Sequence, residues 1–209
     1  MKTKDLIGAL AGDATPPPPL WRTAGLAVLV GAVCAAILFF TFLGVRTNFA
    51  TAVHNWQFQF KIAVFLSVTL VLGIDFYRLM RPGAWQIPFG LILAAAILAG
   101  SMVFALTIVP QERWIAHLFA SSWRTCLTSI PFLAAAPLIT ALSAMRASAP
   151  ASPPLAGMAA GGLAAAVGAT IYSTHCPADT PIFYAFWYPL GATIVLAVGA
   201  LAGRLVLRW

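Results

Sequence analysis

Six long apolar stretches, nearly free of charged side chains, run through this chain, and about 20 such residues suffice for a helix to cross the hydrocarbon core of a bilayer. They predict spans over residues 23–45, 58–74, 87–109, 125–145, 155–173 and 181–202. Backbone polar groups in lipid must be satisfied within the segment, so the expected fold is an all-α integral membrane protein with six transmembrane helices in one bundle. Residues 23–209 would form that domain, and residues 1–22 a cytoplasmic segment before it. The chain is 61% hydrophobic and 8% charged over 209 residues, which excludes a self-standing soluble enzyme and a disordered regulator alike. Its net charge of +7 is thinly scattered, with no basic run to track a phosphate backbone, so no direct nucleic-acid contact is expected.

The basic residues instead orient the chain. Lys2, Lys4, Arg22, Arg78, Arg81, Arg146, Arg204 and Arg208 fall on the side of both termini, while Arg46, Lys61, Arg113 and Arg124 fall opposite. That asymmetry is expected to place both termini in the cytoplasm of a multi-pass membrane protein. Lys61 lies in the first turn of the second expected span, where its stem would carry the ammonium back to the headgroups. Asp75 closes that span. No other expected span has an ionisable group in its interior, which argues against a small permease. No HExxH, GxSxG or buried carboxylate pair supports catalysis in the bilayer, so the chain reads as a non-enzyme.

Ahead of the first span, Leu6, Ile7 and Leu10 share one face of a short amphipathic helix, followed by the four consecutive prolines 16–19 as a semi-rigid spacer. Such a helix orders only against a partner or a lipid surface. In the fifth expected span, Gly157 and Gly161 form a GxxxG pattern that serves either close packing inside the bundle or a homodimer contact.

The outward side collects the soft ligands. His54, His117 and His175 all lie there, as do Cys126 at the start of the fourth expected span and Cys176 between the fifth and sixth. The two thiols suit a thiophilic ion such as zinc or cadmium, a disulfide, or no joint role, with the histidines as auxiliary ligands in the first case. Arg124 beside Cys126 would favour its thiolate. The three cysteines contain no CxxC pair, which weakens the rival reading of a membrane thiol oxidoreductase, and Cys34 reads as a structural thiol.

Residues 1–13, with Leu6, Ile7 and Leu10, and the stretch Ser173-Thr174-His175-Cys176-Pro177-Ala178-Asp179-Thr180-Pro181, followed by Phe183 and Trp187-Tyr188, resemble the NrsF family of negative regulators of sigma F. The resemblance implies a six-span anti-sigma factor of the bacterial inner membrane that sequesters an extracytoplasmic-function sigma factor at the cytoplasmic face, with Leu6, Ile7 and Leu10 as docking residues. It also implies that Cys126 and Cys176 are sensor thiols facing the periplasm, responding to heavy metal or oxidative stress. No obligatory cofactor is expected, only a transient thiophilic metal ion at Cys126 and Cys176.

Overall fold

A computed structural model describes residues 3–4, 8, 19–81, 87–119, 123–148 and 150–207. Six helices in it are long and apolar enough to cross a membrane: Leu20–Phe42, Trp56–Leu79, Phe89–Ile108, Trp123–Arg146, Pro153–Tyr172 and Pro181–Val206, here the first to sixth spans. Two short helices, Phe49–Ala52 and Trp114–Leu118, lie in the connections at the end where the second, fourth and sixth spans begin. The fold is all-helical, as the apolar pattern requires. Leu6, Ile7 and Leu10 lie outside the described residues.

Local chemistry sets the ends. The first span stops three residues earlier than its apolar run because Gly44 turns left-handed at φ +70, and its N–H donates back to Phe39 O at 2.8 Å. Asn55 caps the second span by accepting from Gln57 N at 3.0 Å. The fifth and sixth spans open on prolines, whose missing N–H costs nothing in a first turn. The second span continues through Asp75 to Leu79 instead of ending at the charge. Asp75 is only 1% exposed, lies against Gly90 in the first turn of the third span and pairs with Arg78 at 3.1 Å. A carboxylate at a helix amino terminus meets unpaired N–H groups, which makes this burial tolerable.

The fifth span is the axis of the bundle. Its apolar window is 78% buried, against 17% for the third span and 22% for the first. Glycine and alanine allow this, because in lipid helices associate by close backbone contact and small residues permit it. A Cβ on Gly161 would stand 2.6 Å from Val195 O, and Gly157 faces Gly199 and Gly203 across the same seam. The glycine pair weighed as a dimer contact is therefore covered by the chain's own sixth span. On its other side the fifth span meets the fourth, where a Gly168 Cβ would be 3.1 Å from Ile130 O. The first span reaches the fourth through Gly31, whose Cβ would be 2.7 Å from Pro137 Cα. Thr170 Oγ1 and Thr69 Oγ1, 2.9 Å apart, link the fifth span to the second. Large side chains such as Leu29, Ile37, Leu70, Ile139 and Leu205 are left facing outward, as lipid solvates them without cost.

Candidate functional site

The end of the bundle that holds Cys126 and Cys176 gathers buried charges and aromatic rings. Span five unwinds in successive tight turns: Thr174 N donates to Ile171 O at 3.2 Å, and His175 N and Cys176 N both donate to Tyr172 O, at 2.9 and 3.1 Å. Pro177 then lacks the N–H that would continue the coil, and Thr180-Pro181 restarts a helix as the sixth span. This folds Cys176 back over the end of its own helix. Cys126 lies one turn into the fourth span, on the face toward that loop.

The two sulfurs stand 3.8 Å apart, and both residues have no solvent exposure. Cys126 Sγ also donates to the Tyr172 hydroxyl at 3.4 Å. No disulfide joins them. A disulfide needs about 2.05 Å between sulfurs, so closure requires the two to approach by somewhat under 2 Å. Two thiolates sharing a tetrahedral ion at about 2.3 Å each would stand about 3.8 Å apart, which matches the present separation. The pair thus fits either a thiophilic ion or a disulfide. Among the described residues, no group of three or more His, Cys, Asp or Glu side chains gathers to hold a metal, so the four-ligand set of a structural zinc site is not assembled here.

The histidines are spread over other tasks. His175 Nδ1 is 2.8 Å from Gly44 O, which ties the thiol loop to the end of the first span, and its ring leans on Tyr172. His117 Nδ1 meets Thr180 Oγ1 at 3.3 Å, and His54 is exposed in the turn after Phe49–Ala52. Arg124 is exposed as well, its guanidinium 5.1 Å from the centre of the Trp123 ring. The cation expected to act on the thiols is turned to the Trp123 ring instead.

Lys61 corrects the sequence reading most sharply. Its side chain does not reach for the headgroups but is fully buried, with Nζ 2.5 Å from Asp179 Oδ1, 3.0 Å from Cys176 O and 3.4 Å from Ala178 O. Arg46 joins from the far side, with Nη1 2.9 Å from Asp179 Oδ2 and 3.4 Å from Cys176 O. Snorkelling is favoured only while water is the best available ligand, and here a carboxylate and two carbonyls replace it. Phe58 lies beneath both cations, its ring centre 4.6 Å from Arg46 Cζ and 5.5 Å from Lys61 Nζ. The acidic residue directly after the Cys-Pro-Ala sequence, on the same side as a lone lysine within a span, was the signal available for this cluster.

Aromatic rings close the site. Phe65 stacks on Tyr188 at 4.7 Å and meets Tyr184 edge-on at 5.5 Å, and Tyr188 lies 5.7 Å from Tyr172. Toward the membrane surface, Trp123 and Trp187 stack at 4.9 Å, and Trp187 Nε1 donates to Leu118 O at 2.7 Å. Both sulfurs are without solvent exposure in this aromatic surround, so a bulky protein disulfide cannot reach them as the bundle stands.

Comparison with known proteins accords with this architecture. No solved structure matches the chain. Anti-sigma-F factor NrsF of Caulobacter vibrioides (strain NA1000 / CB15N) is 37% identical over 221 residues, with 100% of both chains covered. A probable anti-sigma-F factor NrsF of Azospira oryzae (strain ATCC BAA-33 / DSM 13638 / PS) is 35% identical over 215 residues, again with both chains fully covered. The NrsF family, described as negative regulator of sigma F, matches residues 10–209, and the six-span chain with its buried thiol pair belongs to that family of anti-sigma factors.

Proposed function

We propose that this protein holds an extracytoplasmic-function sigma factor at the cytoplasmic face of the bacterial inner membrane and releases it when Cys126 and Cys176 bind a thiophilic metal ion or are oxidised. The observation that carries the reading is the 3.8 Å separation of two buried sulfurs from elements 50 residues apart in sequence. Cysteines this close in a bundle end have a joint chemistry available that neither has alone. Both termini face the cytoplasm in this reading, as the distribution of basic residues favours, and reporter fusions at residue 81 and at the carboxyl terminus would read it. Leu6, Ile7 and Leu10 supply the apolar face on which the sigma factor docks.

The thiol chemistry reads as signalling and not catalysis, since both sulfurs are buried and an oxidoreductase must present one to its partner. The test is a sigma-dependent transcriptional reporter read with and without cadmium ion, together with membrane abundance. Cys126→Ser and Cys176→Ser should each abolish induction at unchanged abundance, and Cys34→Ser should respond as wild type. Normal induction in the double serine variant would refute the sensor assignment.

A further inference from the structure

The loop carrying Cys176 is pinned from outside by buried cations. Among the described residues, the cluster sets Lys61 and Arg46 against the single carboxylate of Asp179, with the three side chains 0%, 6% and 11% exposed. One positive charge is therefore left to neutral oxygens, and buried charge without such ligands is strongly disfavoured. The oxygens that serve are the carbonyls of Cys176 and Ala178, on either side of Pro177, and the Cys176 carbonyl lies within reach of both cations, at 3.0 Å from Lys61 and 3.4 Å from Arg46. Backbone position at Cys176 is thus set by the need to solvate Lys61.

Lys61 belongs to the second span, whose other end is equally anchored. About 21 Å along the same helix, Asp75 is buried against Gly90 and so joins the second span to the start of the third. One helix therefore connects the thiol loop at one end of the bundle to a helix junction at the other.

We propose that Lys61 is a latch through which the state of the thiols is passed to the second span. The proposal rests on the sensor reading above. With the latch closed, the Cys176 carbonyl holds Lys61 and the bundle keeps the arrangement that retains the sigma factor. When an oxidant closes the disulfide, two S–H bonds break, one S–S bond forms, and two protons and two electrons pass to the oxidant. The sulfurs must then approach from 3.8 Å to about 2.05 Å. That draws Cys176 toward the fourth span while its carbonyl is held by the second. The two demands conflict, and Lys61 gives up the Cys176 carbonyl. Lys61 is thus a positioning residue in this mechanism and acts through the carbonyl.

The test is an epistasis experiment on the full chain in its native membrane. Lys61→Met keeps the length and removes the charge, leaving Arg46 and Asp179 as a one-to-one pair. It should switch the sigma-dependent reporter on without oxidant, to within about twofold of the diamide-induced wild type. It should do so equally in the Cys126→Ser, Cys176→Ser background, because the latch lies downstream of the thiols. Lys61→Arg should restore retention. Sigma factor co-purified per molecule of anti-sigma factor is the second readout, so that a fall in membrane abundance does not imitate release. A ratio below about one third of wild type supports the latch. Full retention by Lys61→Met, or its silence in the serine background, overturns it. If instead the serine pair itself still responds to cadmium ion, the sensor reading fails, and the co-purification ratio still decides whether Lys61 controls retention.

Discussion

Gly161→Ala tests whether the seam between the fifth and sixth spans holds this bundle together. The added methyl would lie 2.6 Å from Val195 O and 3.1 Å from Leu196 Cα, which are backbone atoms and cannot turn aside as a side-chain tip would. The two helices must move apart, and overpacking of this kind costs about 1–3 kcal/mol. In water the higher helix propensity of alanine would return about 1 kcal/mol of that. In a bilayer the separated helices remain helical, so that gain is absent from the difference and the cost stands nearly whole. At about 1.4 kcal/mol per factor of ten, the folded fraction should shift roughly 5- to 150-fold toward separated helices. Steric trapping or titration with a denaturing detergent in mixed micelles would measure this. Gly25→Ala is the control, since nothing lies within 4 Å of its Cβ and no loss of stability is expected. The seam would be refuted if Gly161→Ala unfolded like wild type, and a loss of dimer with monomer stability unchanged would return these glycines to an intermolecular contact.

Asp179→Ala should be far more damaging than Lys61→Met, because it strands two buried cations; a loss of about 3–5 kcal/mol is expected, read as a collapse of membrane abundance. Equal abundance of the two variants would show that the cluster is solvated in some other way. Diamide treatment of membranes should join Cys126 to Cys176, so that the denatured protein takes up maleimide at one thiol, Cys34, where untreated protein takes it up at three. Three reactive thiols after treatment would contradict the 3.8 Å separation.

What could be read from the order of residues is what local patterning carries. Apolar length establishes six helices, because each span must satisfy its own backbone in lipid whatever its neighbours are. Alternation of spans brings Cys126 and Cys176 to one end of the bundle, and proline 181 stands where the sixth helix starts. Tertiary structure decided which helix meets which. Gly157 and Gly161 announce a close contact without naming the partner, and the choice of the sixth span over a second copy follows from packing around the fifth. The fate of charges was hidden for the same reason. Lys61 near a span end has a stem long enough to reach water, and nothing local shows that Asp179, 118 residues later, will reach it first. Asp75 looked like the end of a helix until the third span placed its unpaired amide end beside it. A charge in a membrane goes where its ligands are, and only the assembled bundle determines where that is.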